Sequence, residues 1–331
     1  MEKVIAVVVS YNRHALLVEC IEALRSQTRK PDAILVVNNG SVDYTTVWLD
    51  KQSDIFQVYQ DNMGSAGGYN TGINWAFQNG YGWIWCMDDD GYPESDALEV
   101  LFENQGHETA LLNCAVINKE DKRSFVWETK DYKYIDEVPE HVIDGICHPF
   151  NGTLIHRSII AKVGLPKSNL FYWGEETEYF YRIVNKYKIP AKTITHSIHY
   201  HPAPVNTYRK EWEYKSSWKM YFYVRNRYQV LQSKHSKKSI ALMHYLYFIL
   251  AFTGSVLLYQ KHDRLKKMTF TLWPMFDSFS NNFTATPESI QTRMNEIAKK
   301  SFSSLIMSPI KKSLLTLFVP SYSEGSNHAT V

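Results

Sequence analysis

Three consecutive carboxylates, Asp88, Asp89 and Asp90, follow the apolar run Trp83–Met87. Like charges packed at a strand end repel, so the triplet invites a cation. Hard divalent ions such as Mg²⁺ and Mn²⁺ take oxygen ligands, one or two carboxylates together with substrate phosphates. Side chains alternate along an extended chain, which puts Asp88 and Asp90 on one side as the chelating pair and Asp89 on the other. The plainer alternative is a solvated acidic turn ahead of Gly91. Three histidines then fall within six residues, His196, His199 and His201; on an extended segment His199 and His201 share a side and His196 opposes them.

A second acidic group, Glu175-Glu176-Thr177-Glu178, follows Phe171-Tyr172-Trp173-Gly174. A helix beginning near Glu175 sets carboxylates at its N-terminus, where they keep their charge easily and suit a general base. Glu178 and Arg182 then stand four apart and fit a helix-face ion pair. Trp173 offers an apolar wall for a sugar ring, or ordinary core packing. The small residues of Asn62-Met63-Gly64-Ser65-Ala66-Gly67-Gly68, ahead of a helix, let backbone N–H groups approach a phosphate or sugar. Ser10-Tyr11-Asn12-Arg13 and Asn38-Asn39-Gly40-Ser41-Val42-Asp43 supply groups able to read a nucleobase and ribose; turn and cap chemistry explains the same residue types.

The elements that must carry these groups alternate. Val4–Val9, Ala33–Val37, Phe56–Tyr59 and Trp83–Met87 read as strands. Leu16, Leu17, Cys20, Ile21 and Leu24 recur at helical spacing, and further helices are expected from Asp43 and over Asn70–Gln78. This β-α rhythm predicts an α/β fold with a mostly parallel sheet flanked by helices. Ligands of such sheets sit beyond the C-terminal strand ends, where the polar clusters fall.

The chain of 331 residues holds 36 Lys and Arg against 34 Asp and Glu, a balance that argues against nucleic acid as a partner. Four scattered cysteines read as reduced thiols in a cytoplasmic protein, and Met1–Val9 carries no secretory signal. From about Trp212 the composition turns to helical stretches rich in aromatic and basic residues, ending in a polar tail, Ser321–Val331. Within them Ile240–Tyr259 runs for 20 residues without a charge. It can span a membrane, lie at its interface or pack as a buried helix; the flanking lysines and Trp273 favour the interface.

In their order and spacing, SYNR, NNGSVD, N-x-G-x-A-G-G-x-x-x-G and the DDD strand end resemble the inverting family 2 glycosyltransferases of the GT-A fold, over about residues 3–230. The nearest likeness is to the galactofuranosyl- and rhamnosyltransferase branch. The resemblance implies a Rossmann-like catalytic domain over 1–235 and a helical, membrane-interfacial region over 236–331. It implies metal ligation by Asp88 and Asp90 with a histidine, His199 ahead of His201, and Mn²⁺ or Mg²⁺ as cofactor. Ser10, Tyr11, Arg13, Asn39, Asp43, Asn62, Gly67, Gly68, Asp89 and Trp173 are the implied nucleotide-sugar-binding residues. The catalytic base is Glu175 or Glu176; relatives often show Asp-Asp or Glu-Asp here, and the extra methylene moves a carboxylate by about 1 Å. Tyr221-Phe222-Tyr223-Val224-Arg225-Asn226-Arg227 resembles a helix of the same branch, whose arginines either meet phosphate or pack against the acidic site.

The resulting expectation is transfer of galactofuranose from its UDP donor, or rhamnose from dTDP, to a lipid-linked oligosaccharide of the bacterial cell surface. The protein would sit peripherally at the inner face of the cytoplasmic membrane, as a monomer or homo-oligomer. The rivals are a retaining transferase and a non-catalytic glycan-binding or scaffold protein on the same fold.

Overall fold

A computed structural model describes residues 2–105, 109–129, 132–203 and 211–299; the polar tail lies outside the described residues. Strand β1 (Val4–Ser10) is buried along its whole length, which explains its unbroken β-branched composition. It pairs in parallel with β2 (Ala33–Asn38) and β4 (Trp83–Asp88), and β2 pairs with β3 (Ile55–Tyr59). The register sets Ser10 beside Asn38 and Val9 beside Asp88, so three polar strand ends finish level on one edge.

The inner faces divide by alternation. Val4, Ala6 and Val8 pack with α1 (His14–Arg25), whose Leu17, Cys20, Ile21 and Leu24 form the buried stripe. Ile5, Val7 and Val9 pack with Tyr69, Ile73 and Ala76 of α3 (Gly64–Gln78). Between β2 and β3 lies the short α2 (Thr45–Leu49), two residues after the expected start at Asp43. Helix α3 begins six residues before the expected Asn70. The small residues read as a turn are helical because Gly68 and Gly72 lie against Val9 and Val7, where a Cβ would collide with the sheet. Close packing outweighs the poor helix propensity of glycine.

Beyond β4 come β5 (Tyr92–Pro93), α4 (Ala97–Glu103), β6 (Leu111–Asn118), β7 (Ser124–Thr129), β8 (Tyr132–Tyr134) and β9 (Val142–Asp144). Then follow β10 (Thr153–His156), α5 (Arg157–Val163), α6 (Glu175–Tyr181), which continues into a π turn over Arg182–Lys186, and β11 (Ala191–His201). The sheet order is β3-β2-β1-β4-β10-β6-β11-β5. Strand β10 is antiparallel to both its neighbours, and β11 runs parallel to β6. Hence β6 and β11 point the same way as β1–β4, and the end of β11 at His201 joins the edge that carries Asp88.

Helices α7 (Lys219–Lys234), α8 (Lys238–Tyr259), α9 (Arg264–Phe279) and α10 (Pro287–Lys299) complete the fold. They share one aromatic-rich core, including Trp212, Tyr221, Phe222, Tyr245, Phe270, Trp273 and Ile290. Phe171, Tyr172 and Trp173, just before α6, pack against that core and tie it to the sheet edge.

Candidate active site

A cleft of about 1390 Å³ opens along the C-terminal strand edge. On one side, Asp88, Asp90 and His201 bring ligand atoms to within 4.8 Å of one another. The Tyr69 hydroxyl donates to Asp88 Oδ1 at 2.7 Å. Asp90 Oδ1 is buried without a hydrogen bond among the described residues and stands 3.3 Å from His201 Nε2. Burial, then the charge of Asp90, pushes Asp88 up to about 7. Burial also pushes Asp90 upward, but His201 and Arg13 outweigh it and hold that carboxyl below its usual value. Two carboxylates and an imidazole fit Mn²⁺ or Mg²⁺, leaving positions for phosphate oxygens. Asp89 is not in this group: it accepts from the Tyr11 N–H at 3.3 Å and from Arg13 Nη1 at 3.0 Å, and the same Nη1 reaches Asp90 at 2.7 Å.

The three histidines separate. His196 is exposed beside His141, with the two Nδ1 atoms 3.3 Å apart. His199, the first choice as a metal ligand, is not in the group. Successive same-face residues of a strand lie about 6.6 Å apart, so His199 sits one layer deeper, its ring against Gly91 and its backbone side against Gly152. Burial drives it down to about 3, and neither ring nitrogen has a hydrogen-bond partner among the described residues.

Across the cleft, the chain reaches α6 through a strained turn, with Phe171 and Trp173 at φ +64° and +59° and Gly174 at +99°. Asn226 holds that turn, its Nδ2 donating to the carbonyls of Leu170, Tyr172 and Trp173 at 2.9, 2.9 and 2.7 Å. Arg225 donates to the Leu170 carbonyl at 2.9 Å, and its guanidinium lies 4.8 Å from the Phe222 ring centroid. Arg227 lies against Tyr223 and Phe248. Neither arginine lines the cleft, so packing is what this segment does.

The turn delivers Glu175 and Glu176 to the cleft. Ser65 Oγ donates to Glu175 Oε1, and Glu175 Oε2 is buried without a partner among the described residues. Glu176 Oε2 accepts the Gly174 N–H at 3.2 Å. Burial, then the neighbouring Glu176 charge, raises Glu175 well above the ordinary carboxylate range. Burial raises Glu176 too, while Glu175 and the Gly174 N–H oppose the shift. Glu178 points away into the fold, paired with Lys167 at 3.1 Å and Arg182 at 3.0 Å.

Tyr11, Arg13, Asn39, Asn62, Asp89 and Trp173 line the same cleft. Asn39 shapes the start of α3: its Nδ2 donates to the Gly64 carbonyl at 3.0 Å, and its Oδ1 accepts from the Met63 N–H at 3.1 Å. Four expected residues lie elsewhere. Gly67 and Gly68 are buried inside α3, against Met63 and Val9, and serve packing. Ser10 is fully buried in β1 beneath the edge. Asp43 is outside the lining and accepts the N–H groups of His14 and Thr45, both at 3.0 Å, as a turn residue does. Ser65, Tyr69, Tyr172 and Lys219 also line the cleft and were not singled out in sequence. Ser65 and Tyr69 belong to the glycine-rich segment, and a helical reading of it would have put them on one face, four residues apart.

The family model for glycosyl transferase family 2 matches residues 5–163. The chain is 30% identical over 261 residues to galactofuranosyltransferase GlfT1 of Mycobacterium tuberculosis H37Rv, covering 72% of this chain and 86% of that protein. GlfT1 of Mycolicibacterium smegmatis is 30% identical over 223 residues, covering 63% and 74%. Among solved structures, Staphylococcus aureus TarS 1–349 in complex with UDP-GlcNAc aligns at a TM-score of 0.54 with 13% identity, covering 83% of this chain and 81% of that one. That likeness shows the GT-A fold.

Proposed function

The chain belongs to glycosyl transferase family 2, and from that premise we propose an inverting, metal-dependent galactofuranosyltransferase that uses a UDP-linked donor and a lipid-linked surface glycan as acceptor. The observation that carries the reading is one cleft with a divalent-cation donor set on one wall and a carboxyl pair on the other. Similarity to GlfT1 supports galactofuranose as the sugar, and the UDP-GlcNAc bound by TarS supports a nucleotide-sugar donor.

Asp88, Asp90 and His201 would hold Mn²⁺ or Mg²⁺, which when bound offsets charge on the departing diphosphate as a Lewis acid. The backbone at Gly64 and Ser65, fixed by Asn39 and Asn62, borders the donor. Tyr11 and Arg13 line the nucleotide end. Glu176 is the base that takes the acceptor proton, because the Gly174 N–H steadies its charge. Glu175, more deeply buried and bound by Ser65, carries a proton and holds Glu176 in place. Attack from the face opposite the departing diphosphate gives one displacement and therefore one inversion.

The described part of the expected C-terminal region 236–331, residues 236–299, is the proposed membrane-facing region of a peripheral, cytoplasmic protein. Helix α8 has 22 residues, and only 33% of its most apolar stretch is buried in the fold. Tyr247, Leu250 and Leu258 are 74%, 72% and 76% exposed; Lys238 opens the helix, and Lys237 and Lys261 flank it. An apolar face with cationic ends, its opposite face packed on α7 and α9, suits a helix lying at an anionic lipid surface.

The test is a panel of sugar nucleotides with Mn²⁺, followed by release of nucleoside diphosphate and the anomeric configuration of the product. Donor-selective release, abolished by EDTA and by Asp88→Ala, with an inverted product, is the expected result. No binding or turnover of any sugar nucleotide would overturn the reading, and a retained anomer would overturn its mechanism.

A further inference from the structure

Lys219, the first residue of α7, lines the cleft half-buried and forms no ion pair among the described residues. Its Nζ donates to the Tyr172 hydroxyl at 3.1 Å and stands 4.8 Å from the Tyr172 ring centroid and 5.8 Å from that of Trp218. Two aromatic rings thus hold an ammonium at the cleft wall. The charges that act on it are Arg13, which repels it, and Asp90, which attracts it. Arg13 is already engaged by Asp89 and Asp90. Tyr172 lines the same cleft and feels the charge of Glu175 and then of Asp88.

A half-buried ammonium facing a second cation, with no carboxylate of its own, is an unfavourable arrangement unless an anion comes to it. After its bond to Tyr172, Nζ has two N–H groups left, and the phenol still has its O–H to donate. Three convergent donors beside a positive charge suit a phosphate oxygen. A carboxylate ligand fits less well, because the cleft already holds four carboxyl groups, Asp88 and Asp90 on one wall and Glu175 and Glu176 on the other.

We infer that Lys219 and Tyr172 form an oxyanion subsite that grips a phosphate group of the bound ligand, across the cleft from Asp88, Asp90 and His201. This rests on the nucleotide-sugar reading and adds a contact to the same cleft. Two sources share the chemistry: the diphosphate of the donor and a phosphate of a lipid-linked acceptor.

The experiment uses the full chain with Mn²⁺ and titrates UDP, dTDP, uridine and inorganic pyrophosphate into wild type, Lys219→Met, Lys219→Arg and Tyr172→Phe. Thermal melts confirm that the variants are folded, and KM values for donor and acceptor are measured alongside. If the donor diphosphate is held, Lys219→Met weakens the nucleoside diphosphate and pyrophosphate about tenfold or more. Uridine is then unchanged, Lys219→Arg recovers most of the loss, and Tyr172→Phe shows a smaller effect in the same direction. If the acceptor phosphate is held, those affinities stay put while the acceptor KM rises by a similar factor in Lys219→Met. A folded Lys219→Met variant with unchanged affinities and unchanged KM values overturns the inference and leaves the transferase reading standing. Failure of wild type to bind any nucleoside diphosphate or pyrophosphate overturns that reading, and the inference with it.

Discussion

Two acidic clusters border one cleft, and they manage their charge in different ways. At Asp88–Asp90 the protein supplies cations, Arg13 and His201, yet Asp88 is still pushed up to about 7 by its burial and by Asp90. Negative charge remains there for a metal to meet. At Glu175–Glu178 the charges are divided instead. Glu178 is neutralised by Lys167 and Arg182 inside the fold, and burial raises both Glu175 and Glu176 above the ordinary carboxylate range. In the proposed reading the same functional group holds a cation on one wall and exchanges a proton on the other.

The comparison breaks most sharply if the two walls respond alike. Asp88→Asn should remove Mn²⁺ binding and lower turnover by about 10³-fold or more, on the scale that loss of electrostatic stabilisation produces; titration of Mn²⁺ together with donor assays checks both. Glu176→Gln should leave Mn²⁺ binding intact and lower kcat by about 10²–10⁴-fold, the usual worth of a general base. Glu175→Gln should cost less than about tenfold, because the amide mimics a carboxyl that is already protonated. A reversed order for the two glutamates would exchange their roles.

Glu178→Ala should act on the fold rather than the chemistry. It strands Lys167 and Arg182 and costs about 3–5 kcal/mol of stability, seen as a lowered Tm, with kcat of the folded fraction unchanged. The smallest effect concerns pH. The Glu175 pKa is raised by folding, so its contribution to stability is fully present below the ordinary glutamate value of about 4.3 and is lost as pH rises toward the folded value. Glu175→Gln removes that loss, and the Tm of the variant should gain on wild type as pH increases from 5 to 8.

Much of this arrangement was legible in sequence because it follows from alternation and strand ends. Trp83–Asp88, a buried strand running into three carboxylates, places Asp88 and Asp90 together at the cleft and leaves Asp89 to Tyr11 and Arg13. The glutamates at the start of α6 were equally plain. Depth along a strand was not: His199 and His201 share a face, and only the meeting of β11 with the Asp90-Gly91 turn shows which one reaches the edge. Glycine had two readings, and Gly67 and Gly68 turned out to serve the contact between α3 and the sheet. Contacts between distant segments left no local signal. Ser65 with Glu175, Asn226 with the turn before α6, and Lys219 with Tyr172 bring together residues that are 110, 53 to 56 and 47 positions apart.

The division of labour between the two walls is tested most directly by an electron paramagnetic resonance titration of Mn²⁺ in the presence of UDP, run on wild type, Asp88→Asn and Glu176→Gln. One bound Mn²⁺ in wild type, lost in Asp88→Asn and kept in the inactive Glu176→Gln, is the predicted result. Mn²⁺ binding that survives Asp88→Asn, or that disappears with Glu176→Gln, would contradict it.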